Sequence, residues 1–122
     1  MEFEKTKPIY YQIVEYVYES IINGTYPPGE KIPSVREMAG VIEVNHNTIQ
    51  RAYNYLQERG IVVAERGIGL YIAVDALAKV KETREEDFFR DELPAIFRTV
   101  QLLEIDWSKI ISEYEIFTGR TK

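Results

Sequence analysis

The chain has 122 residues, 45% hydrophobic and 29% charged, which suits one compact domain or a small domain with an appendage and is too apolar for a disordered chain. It has no cysteine and a single histidine, His46, which excludes disulfides, thiolate-bound metals, Fe–S clusters, cysteine nucleophiles and multi-histidine metal sites. The net charge of -5 weighs, over the chain as a whole, against nucleic acid, because phosphates are neutralised by Lys and Arg.

The opening residues MEFEKTKPIYYQIVEY have no apolar signal core, and no run approaches the roughly 18–20 apolar residues of a membrane span. The expected location is the cytoplasm. Pro8 reads as the first residue of a helix, with Tyr10, Val14, Val17 and Ile21 as its apolar stripe. Asn23-Gly24 ends it, and TYPPGEK reads as a turn-rich loop. Ser34 and Glu37 have the spacing of a capping box, which predicts a short second helix with Val35, Met38, Ala39 and Ile42 on one face. Asn45 is placed to cap a third helix, in which Ile49, Ala52, Tyr53 and Leu56 form the apolar side. Asn47, Gln50, Arg51 and Asn54 form the other side, and Gly60 stops it. Ile61–Ala64 and Leu70–Val74 are β-prone runs around an Arg66-Gly67-Ile68-Gly69 turn.

From Asp75 on, acidic residues outnumber basic ones. Thr83 and Glu86 have the spacing of another capping box. Phe89, Leu93, Ile96, Val100 and Leu103 repeat like a heptad seam, which points to dimerisation because a small first domain already has its own core. Pro94 predicts a kink or a helix boundary near Leu93. Asp106 can cap a last helix carrying Trp107, Ile110, Ile111 and Tyr114.

The order is helix, capped short helix, tight connection, helix with one polar face, glycine-tipped hairpin. That is the layout of a winged helix-turn-helix. The predicted fold is mainly α with a small β-hairpin: a winged domain over 1–74 and a helical dimerisation region over 75–122. His46, Asn47, Thr48, Gln50 and Arg51 lie in the first turns of the third helix, where short polar side chains and Arg can meet base edges in a major groove.

Three segments, GTYPPGEKIPSVREMA, VNHNTIQRAYNYL and AERGIGLYI, resemble in register the DNA-binding domain of the GntR family of bacterial transcription regulators. The short tail resembles that of the YtrA-type subfamily, whose members end in two dimerising helices. The resemblance implies a sequence-specific, homodimeric regulator, a repressor by expectation, on a pseudo-palindromic double-stranded DNA operator. Transporter operons are the common targets in that subfamily. It carries over DNA contacts to Ser34 and Arg36, to His46, Asn47, Thr48 and Gln50, and to Arg66 and Gly67 at the wing tip. Here His46, Gln50 and Ile68 replace residues that are often basic in relatives.

Each feature also has a plainer reading. The polar side of the third helix alone would pass for a solvated face, Ser34 serves first as a cap, and the glycines at 67 and 69 are hairpin chemistry. An alternative function is a winged-helix module that binds protein rather than DNA. No enzyme activity, cofactor or metal is expected. The short tail leaves little room for a dedicated ligand domain; the expected places for a small-molecule effector are between the tail and the winged domain or at the dimer interface, and nothing in the sequence names one. The charge divides unevenly: residues 31–66 carry five basic and four acidic side chains, a net +1, and the remainder carries -6.

Overall fold

Proline has no N–H to place inside a helix, and the first helix, α1, runs Ile9–Ile22, one residue later than expected. Pro8 stands just outside with ψ 142°, and its carbonyl oxygen accepts from the Tyr11 and Gln12 N–H groups at 3.2 Å each. The computed structural model describes residues 1–65 and 67–120. Ile13, Val14, Val17, Tyr18 and Ile21 are buried, whereas Tyr10, expected on the same stripe, is half-buried. Gln12 is buried and fully used. Its Oε1 accepts the Glu4 N–H at 2.8 Å, and its Nε2 donates to the Glu4 and Lys7 carbonyl oxygens at 2.8 and 2.9 Å, clipping the leading segment to α1.

The capping box forms. The Glu37 N–H donates to the Ser34 hydroxyl at 3.1 Å, and the Ser34 N–H donates to the Glu37 carboxylate at 2.9 Å. This starts α2, Val35–Ile42, whose Met38, Ala39 and Ile42 are buried. Glu43 ends it in the left-handed region, at φ 55°. Two residues on, Asn45 accepts the Asn47 N–H at 2.7 Å and starts α3, His46–Glu58. Ile49, Ala52, Tyr53 and Leu56 are completely buried, so the apolar side of α3 is the floor of the core. Each large side chain so buried contributes about 1.5–3 kcal/mol.

The chain then changes period. β1, Val62–Glu65, pairs antiparallel with β2, Gly69–Ile72, with Val62 opposite Ile72 and Glu65 opposite Gly69. The loop expected over TYPPGEK contributes more than turns. Gly29 and Ile32 donate to the Ile72 and Leu70 carbonyl oxygens at 2.8 and 3.0 Å, and Ile72 donates to Glu30 at 2.8 Å. Lys31 is thereby paired with Tyr71 in a single antiparallel bridge. One bridging residue between turn formers leaves no alternation to be read from sequence.

α4, Ala76–Asp87, follows directly, with Ala76 and Val80 completely buried. The cap expected at Thr83 and Glu86 does not form. The helix is already under way at Thr83, so the N–H groups a cap would satisfy are bonded within it.

Contacts divide the chain into two compact units, Met1–Thr83 and Arg84–Lys122. In the second, a π-helical turn over Phe88–Glu92 precedes α5, Leu93–Leu102, and α6 spans Trp107–Thr118. Pro94 lies in the first turn of α5. The Leu93 N–H donates to the Phe88 carbonyl five residues back, which widens the turn ahead of the proline ring. Pro94 therefore marks both a widened turn and a boundary. Asp106 caps α6 as expected, accepting the Ser108 N–H at 2.9 Å. The Phe97 and Trp107 rings meet at 5.8 Å across the α5–α6 turn. No described side chain of this unit is buried. Phe89, Leu102, Leu103 and Phe117 are 58%, 80%, 63% and 87% exposed.

Candidate nucleic-acid interface

The burial of Ile49, Ala52, Tyr53 and Leu56 turns the opposite side of α3 outward. His46, Asn47, Gln50, Arg51 and Asn54 are all exposed, and Thr48 is half-exposed toward α1. The sequence-predicted reading residues thus share one solvent-facing surface. Gln50 Nε2 donates to Asn54 Oδ1 at 2.9 Å, which restrains both amides and leaves acceptor and donor edges outward.

Arg51 is held differently. Its guanidinium carbon lies 4.0 Å over the centre of the Tyr10 ring, a cation–π contact from the first turn of α1. Tyr10 in turn meets Tyr11 and Tyr55 edge-on at 6.4 and 6.1 Å, and Tyr55 takes the Arg59 guanidinium on its ring at 3.7 Å. A notch lined by Pro8, Ile9, Tyr10, Asn47, Thr48 and Arg51 opens between the first turns of α1 and α3.

Ser34 and Arg36, at the start of α2, are both exposed. The Ser34 backbone N–H, then its hydroxyl, hold the Glu37 carboxyl below its ordinary range, so the cap keeps a negative charge at the helix N-terminus. The Ser34 hydroxyl accepts the Glu37 N–H within the cap. At the wing, Gly67 and Gly69 have φ of 71° and 123°, which a side chain would adopt only under strain. A Cβ on Gly69 would also lie 2.8 Å from Lys31 Cε. Gly67 and Ile68 are exposed, and Arg66 lies outside the described residues.

Two contributors were missed by sequence reasoning. Lys31 is an exposed cation carried to the wing by its pairing with Tyr71, and its place in a loop gave no sign of that. Tyr10 lies on the predicted apolar stripe of α1, and only the crossing of α1 and α3 reveals it as the seat of Arg51. No helix among the described residues is long and apolar enough to cross a membrane.

This arrangement is a helix-turn-helix with a wing, and comparison with known proteins agrees. The model of the gntR family of bacterial regulatory proteins matches residues 9–72. The chain is 36% identical over 110 residues to the HTH-type transcriptional repressor YtrA of Bacillus subtilis, covering 86% of this chain and 85% of that one. A GntR family transcriptional regulator from Listeria monocytogenes has a solved structure that is 38% identical, with a TM-score of 0.73 over 98% of this chain and 100% of that one. The DNA-binding domain of AraR, solved in complex with operator ORR3, is 29% identical with a TM-score of 0.53, over 60% of this chain and 88% of that one. The chain belongs to the GntR family of bacterial transcription regulators.

Proposed function

We propose that the chain regulates transcription by binding a double-stranded DNA operator as a homodimer, residues 1–74 reading the DNA and residues 75–122 joining the subunits. The observation that carries this reading is the division of α3. One side is wholly buried, and the other presents His46, Asn47, Gln50 and Arg51 together to solvent. A helix so divided fits a major groove, and these side chains can pair with base edges. Ser34 and Arg36 then flank the groove at phosphates, with Gly67 beside it at the wing, and Arg66 is carried as a contact by the family resemblance alone. The complex of the AraR domain with its operator supports DNA over a protein partner as the target. The similarity to YtrA supports repression as the direction of control.

The second unit supports the dimer. Phe89, Ile96 and Leu103 are 58%, 43% and 63% exposed, with Leu93 and Val100 half-exposed along the same seam. So much apolar surface in so short a segment favours burial against a second copy. A transcription regulator acts on the chromosome, and that reading supports the cytoplasm as its location. An effector, if one acts, would bias the spacing of the two α3 helices.

Selection from a randomised duplex library by the full chain tests the reading. The expected product has two inverted half-sites about one helical turn, or a multiple, apart. Its affinity should fall steeply with salt. Failure to retain any duplex at low salt would overturn the proposal.

A further inference from the structure

A free arginine side chain samples many rotamers, and fixing it on a ligand costs entropy. Arg51 has that cost partly met in advance. Its guanidinium lies over Tyr10 at 4.0 Å, and among the described residues it makes no ion pair or hydrogen bond. A guanidinium stacked by its face keeps its N–H donors at its edges, open to an acceptor. Tyr10 is itself half-buried in α1 and meets Tyr11 and Tyr55 edge-on. Tyr11 and Tyr55 are also edge-on to each other at 5.6 Å, and Arg59 closes the far end over Tyr55. Arg51 and Asn47 are one helical turn apart on α3 and line the same notch as Tyr10.

We infer that Tyr10 is a positioning residue for Arg51 in DNA recognition: it touches no base itself but presets the guanidinium on the reading side of α3. The inference rests on the DNA-binding function proposed above. Its distinguishing property is coupling. Loss of the ring should weaken DNA binding only while Arg51 is present. The ring face suffices, so the phenol hydroxyl is dispensable.

The test measures binding of the full-length chain to the library-selected duplex and to a scrambled duplex of the same length, over a range of salt concentrations. The variants are Tyr10→Phe, Tyr10→Leu, Arg51→Ala and Tyr10→Leu with Arg51→Ala, each checked for an unchanged melting transition. Tyr10→Phe should match the wild type. Tyr10→Leu should lose roughly five-fold on the selected duplex, the scale of a cation–π contact. In the Arg51→Ala background the same change should cost nothing further. A loss confined to the selected duplex assigns the guanidinium to a base edge. An equal loss on both duplexes with a shallower salt dependence assigns it to phosphate. Both support the positioning role. An undiminished Tyr10→Leu loss without Arg51, a Tyr10→Leu affinity equal to wild type, or a Tyr10→Phe loss as large as that of Tyr10→Leu would overturn it while the DNA-binding reading stands. A wild-type chain that binds neither duplex overturns both.

Discussion

The Tyr53 hydroxyl donates to the Pro33 carbonyl oxygen at 2.7 Å, tying the residue before the α2 cap to the middle of α3. The bond joins the two helices of the reading motif at their least repetitive point. Tyr53→Phe leaves the half-buried Pro33 carbonyl without this donor and should destabilise the fold by about 1–2 kcal/mol, measured by urea unfolding. DNA affinity should fall as well, since Ser34 and Arg36 then lose their fixed distance from α3.

The same phenol makes the fold sensitive to alkali. Burial, with the nearby Tyr26, Glu37 and Tyr16, pushes the Tyr53 phenol above its ordinary value, and burial beside Tyr16 pushes Tyr26 up to about 12. Unfolded tyrosines ionise near pH ~10. Both folded values are raised, so the stability from neutral phenols is whole below that pH and is lost as pH rises through the folded values. Urea midpoints should therefore decline from about pH 10 upward, and the decline should be smaller in Tyr53→Phe.

Acid acts at the α2 cap with the opposite sign. The Glu37 carboxyl is lowered by its bonds to Ser34, so its contribution is present above the ordinary carboxylate value and is lost as pH falls through the folded one. Ser34→Ala should cost about 0.5–2 kcal/mol at neutral pH. It should also reduce the acid sensitivity of the melting temperature, which calorimetry from neutral pH downward would show.

Glu43 turns the chain between α2 and α3 at φ 55°, where a side chain is strained. Glu43→Gly should be stabilising by up to about 1 kcal/mol, because relief at this φ outweighs the added freedom of the unfolded chain. A clear fall in the thermal midpoint would contradict this account of the turn.

Arg36→Ala and Arg51→Ala should each weaken operator binding, Arg51→Ala by about 1–3 kcal/mol if its edge meets a base. Fluorescence anisotropy with the selected duplex measures both. Full affinity in both variants would remove these residues from the interface.

Replacing Phe89 and Leu93 with glutamate should yield monomers and abolish operator binding, because one winged domain holds a single half-site. Sedimentation velocity reads the first effect. A double variant that remains dimeric would show that the seam lies elsewhere.

Most of the first unit was legible because its signals are local. Ser34 and Glu37, Asn45, and the stripe from Ile49 to Leu56 each act within a turn or two of helix, so sequence spacing is spatial spacing. The misreadings share the opposite cause. Thr83 and Glu86 have the residues of a cap, but a cap works only where no helix precedes it, and Ala76 and Val80 had already anchored one. Gly29–Ile32 bonds along β2 only because that strand offers it an edge. The Tyr10–Arg51 contact depends on how α1 crosses α3, which no pattern within either helix encodes. In the second unit, the position of Pro94 announced an interruption, but its form as a π turn follows from how the surrounding helix carries on past the proline.

The absence of any buried side chain beyond Val80 among the described residues has a thermodynamic consequence. A segment with no interior of its own gains order if it associates, and association obeys mass action. If two copies bury the seam together, the melting temperature of the tail rises with protein concentration while that of the winged unit, with its private core, stays put. Dilution would then dismantle the operator-binding assembly before it unfolds the reading head. Such a regulator would measure its own abundance: below a threshold copy number it is a set of intact but solitary readers, each too weakly held to occupy a promoter.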